Sequence, residues 1–146
     1  MAFWIFKCSP DKYQRSEQLA DPNPAISWKA TQCPDEIWPG ATAFIWETAQ
    51  HRGIRADMRI DEAPRESTDL PSEQPYSYPP VLGIVCRVRE TLTHRDASLP
   101  HTALRLVRGL ENLAVAHGDV FQQTTNFAVT EKEREILLQL LASQPP

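Results

Sequence analysis

The stretch FWIFKCSP, residues 3–10, predicts the first two elements of the fold. Residues 2–8 place apolar side chains on both faces, which is typical of a strand buried from two sides. Ser9 and Pro10 then match a helix N-cap followed by proline at the first helical position. We therefore expect a buried first strand and, through about Ala20, a short helix on the surface.

Further strands are predicted along the chain. In residues 53–61 the apolar Ile54, Ala56, Met58 and Ile60 alternate with charged residues, as in a half-buried strand. The other predicted strands are Ala25–Gln32, Ala41–Glu47 and Val81–Val88.

The remaining segments predict loops, turns and short helices. Ala63–Pro80 contains five prolines, too many for the interior of a strand or helix, so we expect a loop there. Pro34–Gly40 predicts a helical turn closed by Pro-Gly. One helix begins at Pro100, and the last helix follows a capping box at Thr130–Glu133. About five to six strands with short peripheral helices predict an α+β fold built on a small β-barrel, a single domain over residues 1–146.

The composition disfavours several classes of protein. A net charge of −4 and a pI of about 5.5 argue against nucleic-acid binding by charge alone, although five arginines between Arg87 and Arg108 favour one basic face. No apolar run approaches the roughly 20 residues of a membrane span, and the N-terminus lacks a signal-peptide pattern. Cys8, Cys33 and Cys86 have no disulfide or zinc spacing, so we expect a cytoplasmic protein without a metal.

Four stretches carry a family resemblance and follow one another in the family's order. They are FWIFKCSP at 3–10, ISW at 26–28 with TQ at 31–32 and DEIWPG at 35–40, FIW at 44–46 with GI at 53–54, and QTTNFAVT at 123–130. Together they cover nearly the whole chain. They resemble the EVE domains of the PUA-like superfamily, which are related to the YTH domains that read N6-methyladenine.

The resemblance implies a PUA-like barrel that binds a modified base in DNA or RNA, such as methylated or hydroxymethylated cytosine, without catalysis and without a cofactor. Trp28 matches the position of the first tryptophan of the YTH aromatic cage. The residues implied beside that cage are Lys7, Cys8 and Ser9 at the end of the first strand, and Thr125 and Asn126 in the closing segment. The second cage wall falls in a divergent stretch, where Tyr76 and Tyr78 are the candidates. A nuclease or another effector protein is a candidate partner, and no membrane is expected.

Each candidate also has a purely structural interpretation. A flat base is held by aromatic faces with hydrogen-bonding groups at the rim, and stacking contributes about 1–3 kcal/mol per ring. Trp28 could also pack in the barrel core; as a cage wall, the favoured interpretation, it is expected to be dispensable for folding. Asn126 could read a base edge or tie its loop to the backbone. Lys7 could meet a phosphate or end a strand in solvent.

Two other functions stay open at this point. An RNA-modifying or nucleotide-processing enzyme would use Cys8 or Asp35, but no pattern ties a histidine to Cys8 and the histidines form no metal motif. A protein–protein adaptor would use the acidic segment Asp61–Glu73. A pocket filled by aromatic side chains favours the reader, convergent titratable groups favour the enzyme, and a flat apolar patch favours the adaptor.

Overall fold

The computed structural model describes residues 3–8, 25–48, 52–68, 82–91, 94–117 and 125–144. Its strands are β1 (Phe3–Cys8), β2 (Ala25–Lys29), β3 (Thr42–Glu47), β4 (Gly53–Thr68), β5 (Leu82–Glu90), β6 (Leu99–Pro100) and β7 (Asn126–Val129). Its helices are α1 (His101–Leu104), α2 (Ala114–His117) and α3 (Glu131–Ala142), with a 3₁₀ turn at Pro34–Glu36. The helix expected up to Ala20 lies outside the described residues.

The strands form one mixed sheet in the order β2-β5-β4-β3-β1-β7, and β6 pairs with the start of β4. β1 runs parallel to β3, with Trp4 opposite Ala43, and the other pairings are antiparallel. β4 spans 16 residues and pairs with β3 through its first part and with β5 through its second. One long strand therefore joins both halves of the sheet.

The two faces of the sheet are buried in different ways. One face forms the strand cluster, whose members are Trp4, Phe6, Cys8, Ile26, Trp28, Ala30, Ile37, Ala41, Ala43, Ile45, Ala56, Met58, Ile60, Cys86 and Val88. On the other face, the helix cluster, strand residues such as Ile5, Phe44 and Trp46 pack against helix residues such as Leu104 and Leu137. The strand cluster takes none of its described members from an α-helix. Among the described residues, this face is therefore filled by side chains of strands and of the turns beside them.

The predicted fold class is confirmed in part, because the described structure is mostly β-sheet, but a barrel is not confirmed. The described sheet is open, with β2 and β7 as its edges, and it has seven strands where five to six were expected. The four residues of β7 all pair with β1, and the five residues of β2 all pair with β5. Within the described ranges, neither short strand forms a second ladder with the other.

The expected loop at Ala63–Pro80 is wrong in its first part, because β4 continues to Thr68. The pairing of β4 with β5 shifts register between Glu62 and Arg65, and Pro64 lies inside that irregularity. A bulged residue makes no ladder hydrogen bond, which is how a strand accommodates a proline. The remainder of the expected loop lies outside the described residues.

A second irregularity breaks the alternation predicted for residues 53–61. The register of β3 on β4 shifts so that Ile45 pairs with Ala56 but Trp46 pairs with Ile54. Ile54 therefore packs in the helix cluster, whereas Ala56 packs in the strand cluster. A bulge turns the following side chains to the opposite face, and this is why a single apolar stripe was the wrong prediction.

The charged side of β4 is also partly buried. Asp57, expected in solvent, is 7% exposed. Its Oδ1 accepts a hydrogen bond from Thr91 Oγ1 at 2.6 Å and lies 2.9 Å from His94 Nδ1. Glu90 is buried and pairs with Arg95 at 3.3 Å. A carboxylate is tolerated inside a protein when such partners replace its hydration, and these contacts hold the segment after β5 against β4.

The last helix is confirmed with its capping box. Thr130 Oγ1 accepts from the Glu133 N–H at 3.2 Å, and Glu133 Oε1 accepts from the Thr130 N–H at 2.9 Å. Leu137 and Leu141 are fully buried in the helix cluster. Among the described segments, none of the helices has the length and apolar composition that a membrane crossing requires.

We expect Gly53→Ala to lower the free energy of unfolding by about 1–3 kcal/mol. A Cβ at Gly53 would overlap the carbonyl oxygen of Leu99 on β6, and a backbone atom cannot be rotated away. Urea unfolding of the variant and the wild type measures the difference. Ala63→Ser, at an exposed position of the same strand, is the control and should change stability by less than about 0.5 kcal/mol. Equal stability of Gly53→Ala and wild type would contradict the close pairing of β4 with β6.

Candidate functional site

Side chains join the two edges of the sheet. Thr31 and Gln32 follow β2, and they face Thr125 and Asn126 at the start of β7. Asn126 Oδ1 accepts from the Gln32 N–H at 3.0 Å, and Asn126 Nδ2 donates to the Gln32 carbonyl at 2.8 Å, across a separation of 94 positions. We call these four residues the amide clasp. One carboxamide thereby supplies the donor and the acceptor that a ladder between β2 and β7 would supply.

Gln32 makes the reciprocal contact. Its Oε1 accepts from the backbone N–H of Thr125 at 2.9 Å, from that of Asn126 at 3.3 Å and from the hydroxyl of Thr31 at 2.8 Å. The Thr31 N–H donates to Thr125 Oγ1 at 3.0 Å, and the two threonine hydroxyl oxygens lie 2.7 Å apart. Each carboxamide of the amide clasp therefore binds the backbone of the opposite segment.

The amide clasp adjoins the strand cluster. Trp28 lies three positions before Thr31, and both Trp28 and Cys8 belong to the strand cluster. The N–H of Lys7, which precedes Cys8 on β1, donates to the Thr125 carbonyl at 2.9 Å. The end of β1, the end of β2 and the start of β7 consequently meet at one end of the sheet.

The predicted site residues are more enclosed than expected. Trp28 is 6% exposed and Cys8 is 2% exposed. Lys7 lies on the opposite face of β1 from Cys8, since successive side chains of a strand alternate, and it therefore does not share a face with Trp28. The predicted residues that lie outside the described part of the chain are Ser9, Tyr76 and Tyr78.

The closing segment contributes to the site through the clasp. For Asn126, which is 1% exposed, the observed role is the tie between loop and backbone. Thr125 is half-buried and bonded within the clasp. Sequence reasoning did not single out Gln32, which the structure places in the clasp. The one available signal was its place in the second block of the family resemblance, because no local pattern connects residues so far apart along the chain.

A second polar feature lies in the strand cluster itself. Trp4 is 2% exposed, and its indole N–H has no hydrogen-bond partner among the described residues. A buried donor without an acceptor costs about 1–3 kcal/mol. An acceptor atom that reached this donor would therefore be held favourably.

Cys8, one of the two residues suggested for catalysis, is buried at 2% exposure, and the other two thiols are poorly suited to catalysis. Burial, reinforced by nearby carboxylates, raises the pKa of the Cys86 thiol to about 12. The charge of Glu36 raises the pKa of the exposed Cys33 thiol. A protonated thiol is a weak nucleophile. Asp35 is exposed on the 3₁₀ turn, and the described residues contain no group of His, Cys, Asp and Glu arranged to hold a metal.

The expected charged surfaces are partly neutralised by ion pairs. Arg87 lies 3.5 Å from Glu62, and Arg89 lies 3.1 Å from Asp61. These pairs involve arginines of the expected basic face together with the first acidic residues of Asp61–Glu73, the segment proposed for an adaptor. Other arginines of the expected basic face, including Arg105 and Arg108, are exposed.

The fold has clear counterparts among solved structures, although no protein-family model and no curated protein matches the chain. The human THYN1 protein, solved in complex with DNA containing 5-methylcytosine, superposes with a TM-score of 0.67 at 16% identity over 99% of this chain and 100% of that one. The DUF55 domain of human thymocyte nuclear protein 1 gives 0.65 at 18% identity over 97% and 99%. The YTH domain of Zygosaccharomyces rouxii MRB1, in complex with N6-methyladenosine RNA, gives 0.57 at 13% identity over 99% and 88%. These likenesses show a shared fold.

Proposed function

We propose that this chain, which has the EVE-type fold of the PUA-like superfamily, binds a chemically modified base of DNA or RNA and performs no reaction on it. The observation that carries the proposal is the fold likeness over essentially the whole chain. Two of the similar structures are complexes with nucleic acid that carries a methylated base. The arrangement of aromatic and amide groups in this chain supports the same use.

Recognition of such a base requires apolar faces and a few fixed polar groups. Trp28 and Trp4 provide indole rings within the strand cluster, and the amide clasp provides carboxamides beside it. A base that has been turned out of its stack would exchange stacking on neighbouring bases for stacking on an aromatic ring. We propose Trp28 as the principal stacking face and the unpaired indole N–H of Trp4 as a donor that an acceptor on the ligand would satisfy.

A binding role fits the chemistry of the described groups better than an enzymatic one. Cys8, the nucleophile that the enzyme alternative would use, is 2% exposed. Neither Cys33 nor Cys86 has the low thiol pKa that nucleophilic catalysis favours. The adaptor alternative is weakened because Asp61 and Glu62 lie on β4 and pair with arginines of β5.

A binding panel tests the proposal. The purified chain is titrated with DNA duplexes and RNA single strands that carry 5-methylcytosine, 5-hydroxymethylcytosine or N6-methyladenine, each beside its unmodified twin. Burial of one methyl group contributes about 0.8 kcal/mol, so at least one modified oligonucleotide should bind about 4-fold or more tightly than its twin. Equal affinity for every pair, or no binding to any oligonucleotide, would overturn the proposal.

A further inference from the structure

We propose that Gln32 reads the edge of the bound base. In this assignment, which rests on the proposed function, the Gln32 carboxamide nitrogen donates a hydrogen bond to an acceptor on the ligand. Such an acceptor is a carbonyl oxygen or an unprotonated ring nitrogen of a nucleobase. The assignment makes Gln32 a specificity-determining residue in addition to its role in the amide clasp.

The orientation of the Gln32 carboxamide is determined by its surroundings. Two backbone N–H groups, those of Thr125 and Asn126, point at the same atom, and an N–H group can only donate. That atom must therefore be the oxygen, so the nitrogen occupies the other branch. The hydroxyl of Thr31 at 2.8 Å adds a third donor to the oxygen. No rotation of the amide could exchange its two ends without breaking these hydrogen bonds.

The nitrogen of the same group is left available. Gln32 is half-buried, and its Nε2 makes no hydrogen bond to another described residue. It is also absent from the enclosed side-chain atoms that lack a partner, so solvent or a ligand can reach it. The two N–H bonds of the Gln32 side-chain nitrogen are consequently held in a fixed direction by the hydrogen bonds that the side-chain oxygen accepts. A donor that is already oriented loses little conformational entropy when it binds.

The donor lies on the segment that directly follows the strand of the proposed stacking face. Gln32 is four positions beyond Trp28, and the segments that its oxygen binds adjoin the end of β1. A base stacked on Trp28 would present its edge, and not its face, to groups at the rim. An edge carrying an acceptor would be matched by the Gln32 N–H groups, whereas an edge presenting only donors would be opposed. Cytosine and N6-methyladenine both carry ring-nitrogen or carbonyl acceptors.

The decisive variant is Gln32→Glu. A carboxylate keeps an oxygen for the Thr125 and Asn126 N–H groups and strengthens those bonds by its charge, but it replaces the donor with an acceptor. We expect a melting temperature equal to or above that of the wild type and binding weakened by about 10-fold or more. The probes are the DNA duplex carrying 5-methylcytosine and the RNA carrying N6-methyladenine. The corresponding nucleosides, which have no phosphate, serve as neutral probes.

Lys29→Gln is the matched control. It changes the net charge by the same amount at an exposed residue outside the clasp, and we expect it to weaken binding by less than about 3-fold. If both variants weaken oligonucleotide binding equally and neither weakens nucleoside binding, the effect is electrostatic and the Gln32 assignment is overturned.

The outcomes separate the two proposals. Wild-type protein that binds none of these probes and no other oligonucleotide of the binding panel overturns the proposed function and this assignment with it. Wild-type binding that Gln32→Glu retains overturns the assignment alone. If the variant does not fold, the side-chain amide signals of Gln32 in the wild type provide the test by NMR. A downfield shift of one amide proton on addition of the probe supports the assignment, and unchanged signals overturn it.

Discussion

Trp28→Ala is expected to cost about 3–5 kcal/mol of folding free energy, because an aromatic side chain removed from a packed interior leaves a large cavity. Trp28 is 6% exposed and lies among the members of the strand cluster. The loss approaches the total stability of about 5–15 kcal/mol that a domain of this size possesses, so the variant should be largely unfolded at physiological temperature. Thermal melting followed by circular dichroism measures the effect. A variant as stable as the wild type would restore the expectation, drawn from the sequence, that Trp28 is dispensable for folding.

Two milder variants separate packing from base recognition at Trp28. Trp28→Phe and Trp28→Leu both keep an apolar side chain in the strand cluster, but only phenylalanine keeps an aromatic face. If Trp28 stacks on the base, Trp28→Leu should bind a modified oligonucleotide about 5- to 150-fold more weakly than Trp28→Phe, which corresponds to the loss of about 1–3 kcal/mol of stacking. Equal binding by the two variants would contradict the stacking role.

Asn126→Asp is expected to lower the free energy of unfolding by about 2–4 kcal/mol, although the two side chains have the same shape. The carboxylate can still accept from the Gln32 N–H. It cannot donate to the Gln32 carbonyl, which lies 2.8 Å from the present Nδ2, and two acceptors would then face each other. Urea unfolding measures the loss. Hydrogen exchange should also accelerate at the backbone amides of Gln32 and Thr125, whose acceptors belong to the amide clasp.

Asn112→Asp is the control for that substitution. It makes the same chemical change and adds the same charge at an exposed position, where a change of less than about 0.5 kcal/mol is expected. If Asn126→Asp is as stable as Asn112→Asp, the amide clasp contributes nothing to the stability of the fold. The comparison also tests how the two edge strands of the open sheet are linked. The amide clasp is made by side chains, so one substitution can break it, whereas one side-chain substitution does not remove a backbone ladder.

Local patterns in the sequence determined the elements whose causes are themselves local. The apolar run at β1 and the capping box before α3 were predicted correctly, since burial on two faces and helix capping each depend on residues within a few positions of one another. The ordered set of four blocks predicted a fold related to that of YTH domains, and the likeness to human THYN1 and to a YTH domain shows the shared fold. The assignment of site residues from the same blocks stays a prediction.

Only the tertiary structure decided how these elements join. An irregularity in the pairing of β4 with β5 accommodates Pro64 within the strand. A bulge in the pairing of β4 with β3 turns Ile54 toward the helix cluster. A bulge depends on the pairing of two strands, and neither strand's own sequence shows it. Likewise, the amide clasp links Gln32 to Asn126 across 94 positions. Each carboxamide satisfies the backbone of the other segment, so its partner exists only after β2 and β7 have been brought together.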